Sequence, residues 1–306
     1  MEETPENHRN KQPINFDTVL LDIGEFGKFQ KILYFTVCST IIFTTGCGLS
    51  VVFAGALPNR RCFIENCDTP KNAKYSDAFT KGFGSFSIPP GSQSICHQYG
   101  INESETKASC TRDTFEQKIV EKCKHGVVID HMYYGSTIVE EFHLACQEEW
   151  KVPLVESFGF VGIMIAALSC GILADKYGRK HVMMSCLALV FVSSMFECFS
   201  NSFWMYLVFQ TLTNLGQAGF FQTGFILSLE LVGQSHRVFC GIVIEFFFVI
   251  GEVLLTFVAW GVRSWRWIMA VIFIPVILPL LAWSRCPESV RWLLVRFHVL
   301  VSVEKY

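Results

Sequence analysis

Two glutamates, Glu245 and Glu252, stand inside the otherwise apolar stretch 238–260. An ionisable side chain in such a stretch is costly to keep away from water, which makes it a candidate for function. Their spacing of seven residues is almost two turns of an α-helix, so both carboxyl groups would lie on one helix face. Such a face could attract a cationic solute or carry a proton. The alternative is structural, with protonated or hydrogen-bonded carboxyl groups at a contact between helices.

A second group of polar residues lies in the apolar stretch 203–229, which contains side-chain amides and glycines. Gln217 and Gln222 are candidates for lining a solute cavity, because amides can hydrogen-bond to a solute or across helices. The glycines are more simply explained by close helix packing. Glu245 and Glu252 are the only charges in the middle of such stretches, and the absence of lysine and arginine there gives no sign of an anion site.

Transmembrane helices are the elements that must position these residues. Of 306 residues, 51% are hydrophobic and 17% are charged, against about a quarter charged in soluble domains. The hydrophobic residues form six blocks of about twenty, the length that crosses a bilayer, where only a helix satisfies the backbone of a lone segment. We therefore predict an all-α membrane protein with spans at 32–57, 153–174, 182–199, 203–229, 238–260 and 267–283.

Basic residues cluster in the connections that share one side of the membrane if the six spans alternate. Among the short connections, only Arg263 and Arg266 oppose this trend. The positive-inside rule then predicts that both termini are cytoplasmic, in a multi-pass protein of the plasma membrane. The polar segment 1–31 does not resemble a cleaved signal peptide. A net charge of −2 without a basic stripe indicates no nucleic-acid partner.

The long connection 58–151 would then be extracellular. Its even number of cysteines in an oxidising compartment suggests three disulfides, whose pairing the sequence leaves open among fifteen arrangements. Asn102, in Asn-Glu-Ser, is a glycosylation candidate that agrees with this location. Unpaired thiols are the alternative. The cysteines are Cys62, Cys67, Cys96, Cys110, Cys123 and Cys146.

Three motifs on the predicted cytoplasmic side resemble signatures of the major facilitator superfamily. The connection after the second span reads Gly171-Ile-Leu-Ala-Asp-Lys-Tyr-Gly-Arg-Lys180. Glu230 and Arg237 flank the turn between the fourth and fifth spans, and the sixth span is followed by Pro287-Glu-Ser-Val-Arg-Trp-Leu-Leu294. The resemblance implies a charge network that holds the outward-open state and breaks on inward opening. Its members would be Gly171, Asp175, Gly178, Arg179, Lys180, Glu230, Arg237, Glu288 and Arg291.

The long connection resembles one family within that superfamily, the organic cation and organic anion transporters. Its Thr137-Ile-Val-Glu-Glu-Phe-His-Leu-Ala-Cys146 is similar to their T-I-V-x-E-F-x-L-V-C, and Leu21-Asp-Ile-Gly-Glu-Phe-Gly-Lys-Phe-Gln30 is similar to their opening. Sugar porters lack such a connection. One departure lies in the fourth span, where Gln210 and Asn214 replace the arginine and glycine of the facilitator R-x-L-x-G.

The resemblance implies the amino-terminal six-helix half of a twelve-helix carrier, with 1–31 and 284–306 cytoplasmic and 58–151 a disulfide-rich, glycosylated loop. We expect alternating-access transport of small organic ions, with cations or zwitterions such as carnitine favoured over anions. A second six-helix half or a full-length transporter would be the partner within the lipid bilayer. The alternatives are a truncated, non-transporting isoform that regulates a full-length carrier and, less well supported, a sugar porter. We expect no cofactor, no metal and no enzymatic activity, because hydrolase, zinc-protease and phosphate-binding motifs are absent.

Overall fold

The computed structural model describes residues 27–283, except 66, 70–72, 91–95, 102–109 and 231, together with Trp292. Six long helical segments, numbered α1 to α6 in chain order, account for most of the described chain, as the hydrophobic blocks predict. The first five are α1 (Lys28–Leu49), α2 (Lys151–Tyr177), α3 (Arg179–Cys198), α4 (Phe203–Glu230) and α5 (Arg237–Val262). The sixth, α6, consists of Trp265–Phe273, the 3₁₀ turn Ile274–Val276 and Ile277–Trp283.

Two of the segments depart from a continuous α-helix. The first continues past Ser50 as the short helix Val51–Ala54. In α6, Pro275 lies in the 3₁₀ turn. Proline lacks the backbone N–H that an α-helix uses and clashes with the preceding turn, which accounts for the change of helix type there.

Within the described residues, five helices are long and apolar enough to cross a membrane: Gln30–Ala54, Cys146–Tyr177, Arg179–Cys198, Gln234–Val262 and Trp265–Ala282. The helix α4 has 28 residues but does not belong to this set, because its amides and threonines lower its hydropathy. Those polar residues are tolerated because α4 packs against α1, α2 and α3. The other five helices are mostly apolar, and α4 packs among them, so the helices form one bundle.

Glycines allow the helices to approach α4 closely. A Cβ atom on Gly162 of α2 would lie 2.4 Å from the carbonyl oxygen of Thr211, and one on Gly219 would lie 2.7 Å from the sulfur atoms of Cys170 and Cys186. A larger residue at position 162 would require movement of a helix backbone, and one at position 219 would require the two cysteine side chains to move. Packing is therefore sufficient to explain these glycines.

The long loop between α1 and α2 contains two small antiparallel sheets. In one, β1 (Arg60–Cys62) pairs with β4 (Val127–Ile129), and in the other, β2 (His97–Ile101) pairs with β3 (Phe115–Lys122). Three disulfides connect these parts: Cys62–Cys123, Cys67–Cys110 and Cys96–Cys146, with Cα–Cα distances of 5.1, 5.0 and 5.5 Å. A small apolar core of Ile64, Ala78, Phe83 and Phe115 lies among them.

Residues 135–149 of this loop, which we call the docking segment, pack onto the end of the helical bundle. The Gly135 amide donates to the Arg263 carbonyl at 2.7 Å, and the side chain of Ile138 is fully buried. The ring of Phe142 lies 6.2 Å from that of Tyr206 and 6.1 Å from that of Trp265. The loop is thus attached to the bundle at the connection between α5 and α6. We call this end of the bundle the loop end and the opposite end the signature end.

Candidate functional site

The signature residues form an ion-pair network at the signature end. Arg179, the first residue of α3, contacts the carboxylate of Glu230 at the end of α4. Its Nη2 also lies 3.8 Å from Asp175 Oδ1, on the last turn of α2. The side chains of Glu230 and Arg179 are 10% and 18% exposed, against 77% for Asp175. Because water screens the exposed carboxylate, the Arg179–Glu230 contact is the stronger of the two.

Gly178 joins α2 to α3 in a conformation that other residues rarely adopt. Its φ of 102° and ψ of 143° let the chain reverse between the two helices. This turn places Asp175 and Arg179 on either side of the same corner, which explains why a glycine stands between them.

The remaining predicted members of the network have different positions. Arg237 donates from Nε to the Val232 carbonyl at 3.4 Å, and Lys180 is half-buried. Gly171 lies within α2, away from the turn. Glu288 and Arg291 lie outside the described residues, but the neighbouring Trp292 donates from its indole N–H to the Asp175 carbonyl at 2.9 Å. Trp292 therefore lies at the same corner of the bundle.

Glu245 and Glu252 lie on the exposed surface of α5. The residues that α5 buries include Ile244 and Gly251, and a Cβ on Gly251 would lie 2.6 Å from the Ile42 carbonyl of α1. The two glutamates, with Val249 and Thr256, form a stripe beside this buried face. The two carboxyl groups therefore share one helix face that the six helices leave uncovered.

The amide candidates lie elsewhere in the bundle. Gln217 is half-buried, and a Cβ on Gly48 of α1 would lie 3.4 Å from its Cγ. Gln222 is half-buried too, with its Nε2 3.9 Å from the Cβ that Gly171 of α2 would have. The structure thus puts the amides against α1 and α2 and the acids on the open side of α5, rather than in one closed pocket.

An arginine at the loop end makes structural contacts that the charge pattern of the sequence did not predict. The guanidinium of Arg266 contacts the Glu141 carboxylate and the Cys198 carbonyl, and its Nη2 donates to the Ser200 carbonyl at 2.7 Å. The indole N–H of Trp265 donates to Glu141 Oε2 at 2.9 Å. Arg266 therefore opposes the positive-inside trend because it connects the docking segment to the end of α3.

The local environment alters the acidity of Glu141. Partial burial raises the pKa of this carboxyl, but the hydrogen bonds from Arg266 and Trp265 and the charge of Arg266 outweigh that effect. The pKa of Glu141 consequently lies below its ordinary value. The carboxylate is charged at neutral pH, which is the form that holds the arginine.

The sequence interpretation missed Glu197. It lies in the last turns of α3 with no exposed surface, so Glu245 and Glu252 are not the only acids within the helices. Its Oε2 lies 3.3 Å from Thr213 Oγ1 of α4, and its Oε1 has no hydrogen-bond partner among the described residues. The signal in the sequence was a glutamate inside the predicted span 182–199, which its position near the end of that span obscured.

Gln210 occupies the position where the related motif has an arginine. Its side chain is fully buried, and its Nε2 donates to the Gly48 carbonyl at 3.0 Å. Asn214, one turn later, donates to the Gln210 carbonyl at 3.0 Å. The amide thus links α4 to α1 without adding a positive charge to the interior.

Comparisons with known proteins give one family and a set of related transporters. The model of the family "sugar (and other) transporter" matches residues 107–299. The mouse protein "solute carrier family 22 member 21" is 32% identical over 92% of the chain, and human "organic cation/carnitine transporter 2" is 31% identical over 92%. The "organic cation transporter protein" of Drosophila melanogaster is 26% identical over 92%.

These relatives are about twice as long as the chain. The aligned region covers 50% of the mouse protein, 51% of the human protein and 50% of the fly protein. Among solved structures, a D-xylose–proton symporter matches 51% of the chain and 42% of its own length at 16% identity, with a TM-score of 0.42.

Proposed function

Since the chain belongs to the sugar (and other) transporter family, whose members are carriers rather than enzymes, we propose that it forms the amino-terminal half of an organic-ion transporter. Organic cations or zwitterions such as carnitine are the favoured solutes. The observation that supports this preference is the stripe of Glu245 and Glu252 on the uncovered face of α5. A carboxylate on that face attracts a cation and repels an anion.

The position of the acids also suits alternating access. Transporters of this architecture place the solute between two helical repeats that rock against each other. An acidic stripe on an uncovered face would become one wall of such a cavity when a second six-helix half covers it. The second half would supply the opposite wall.

Uptake of a permanently charged quaternary ammonium compound tests this proposal. Cells would express the chain alone or the longest natural product that contains it, and Glu245→Gln and Glu252→Gln would be compared with the parent. We expect uptake by the longer product and a reduction of at least about tenfold for Glu245→Gln, since about 1.4 kcal/mol of lost attraction corresponds to that factor. Uptake that prefers an organic anion or a sugar would contradict the proposal, and unchanged uptake by Glu245→Gln would remove this residue from the site.

We also propose that the loop end faces the outside of the cell and the signature end the cytoplasm. Three disulfides in the loop support an oxidising location. Enzymatic deglycosylation should increase the gel mobility of the parent but not of Asn102→Gln. An epitope at the amino terminus should be accessible to antibody only after the plasma membrane is permeabilised. Antibody binding to intact cells would reverse the orientation.

A further inference from the structure

The hydrogen bonds around Glu197 determine where its neighbours' protons lie. Ser193 Oγ lies 2.6 Å from the Leu189 carbonyl oxygen, and Thr213 Oγ1 lies 2.9 Å from Ser193 Oγ. The next contact in this series of hydrogen bonds joins Thr213 Oγ1 to Glu197 Oε2 at 3.3 Å. These groups belong to α3 and α4, and Ser193, Glu197 and Thr213 are all at most 1% exposed.

Counting the protons along this series of hydrogen bonds shows which group is the donor in each. A carbonyl oxygen only accepts, so the one hydroxyl proton of Ser193 is directed at Leu189. Ser193 must then accept from Thr213, which uses the one hydroxyl proton of Thr213. Thr213 therefore has no proton left for Glu197, and its contact with Glu197 Oε2 is a hydrogen bond only if the glutamate donates.

The described surroundings of Glu197 provide hydroxyl groups but no cation to offset a negative charge. Among the described residues, no lysine or arginine forms an ion pair with it. The titratable groups that face it are the thiol of Cys47 on α1, the thiol of Cys198 on α3 and the hydroxyl of Tyr206 on α4. The nearest cation of α6, Arg266, contacts the Cys198 carbonyl and is already paired with Glu141. A buried carboxylate without a cation is strongly disfavoured relative to the protonated acid.

We propose that Glu197 is a proton-binding site within the helical bundle, occupied in this conformation and donating its proton to Thr213. This inference does not depend on the proposed transport function, because it concerns one carboxyl group and its neighbours. Tyr206 covers that carboxyl group, and its ring contacts Phe142 and Trp265, at 6.2 and 5.5 Å between centroids. The site therefore lies next to the packed docking segment.

Infrared spectroscopy of the purified 306-residue chain in lipid nanodiscs tests the site directly. A protonated carboxyl group has a C=O stretching band that a carboxylate and an amide lack. At neutral pH we expect the parent to show such a band, shifted in deuterium oxide, and Glu197→Gln to lose it. Glu116→Gln is the matched control, because it makes the same change at an exposed acid of β3, outside the helical bundle, and should keep the band. Identical parent and Glu197→Gln spectra would overturn the proposal.

A second set of variants tests the donor direction even if Glu197→Gln does not fold. Thr213→Val removes the acceptor at nearly constant volume, so the band should move to higher frequency as the carboxyl group loses its hydrogen bond. Thr213→Ser restores a hydroxyl and should return the band toward the parent frequency. A band that stays in place in Thr213→Val would show that Glu197 does not donate to Thr213.

Discussion

Arg266 and Glu141 join the start of α6 to the docking segment, although the two residues are 125 positions apart in the sequence. The guanidinium also contacts the carbonyl oxygens of Cys198, the last residue of α3, and of Ser200, just after it. The side chain of Arg266 thus donates hydrogen bonds to carbonyl groups at the end of α3 and forms an ion pair with Glu141 of the loop. Adjacent to it, Glu140 lies 3.4 Å from His131 and makes a simpler contact.

Glu141→Gln should reduce thermal stability more than Glu140→Gln does. Since 38% of the Glu141 side chain is exposed, solvent screening limits the expected loss to about 1 kcal/mol. Because the pKa of Glu141 is lowered in the folded chain, its stabilisation is present above the unfolded pKa of about 4.3 and is lost as the pH falls through the lower folded value. Melting temperatures of the parent and both variants between neutral and acidic pH check this, and equal effects at positions 140 and 141 would contradict it.

Glu230→Gln should destabilise the signature end by about 2 kcal/mol, because it leaves the sheltered guanidinium of Arg179 with a weaker partner. Lys176→Gln, at an exposed residue of the same corner, should cost about 0.5 kcal/mol or less. Thermal unfolding in detergent measures both. A loss in Lys176→Gln that matches the loss in Glu230→Gln would mean that the net charge of this corner matters rather than the Arg179–Glu230 contact.

Two glycines of α2 should respond oppositely to replacement by alanine. In Gly162→Ala the new methyl group meets the Thr211 carbonyl at 2.4 Å, so we expect a loss of about 1–3 kcal/mol from overpacking. In Gly171→Ala the nearest atom is Gln222 Nε2 at 3.9 Å, and the change should be neutral or stabilise by up to about 1 kcal/mol through helix propensity. Unfolding measurements on both variants test this, and an equal loss at Gly171 would show a second close approach.

Peptide mapping without reduction should recover three disulfide-linked peptide pairs from the loop. They join Cys62 to Cys123, Cys67 to Cys110 and Cys96 to Cys146. Each encloses 43 to 61 residues, so removing one should cost about 4 kcal/mol by the chain-entropy account. Mass spectrometry that finds Cys146 linked to a cysteine other than Cys96 would contradict the structure at the point where the loop reaches the docking segment.

Hydropathy and local motifs were enough to predict the six helices and their approximate bounds. Unbroken apolar blocks of membrane length have one stable backbone solution, so no knowledge of neighbouring segments was needed. The resemblance of the motifs around Asp175, Arg179 and Glu230 to facilitator signatures likewise predicted a charge network. An even number of cysteines indicated disulfides but not their partners.

Only the tertiary structure decided which acids are covered. Glu197 and Glu245 look alike in the sequence, since each is a glutamate inside an apolar block. The first is enclosed because α4 packs against its face of α3, while the second faces away from α1 and stays exposed. The pairing of the disulfides and the contact of Arg266 with Glu141 could not be predicted from the sequence either. Burial and contact depend on which distant segments cover a helix face, whereas hydropathy reports only what a segment contains.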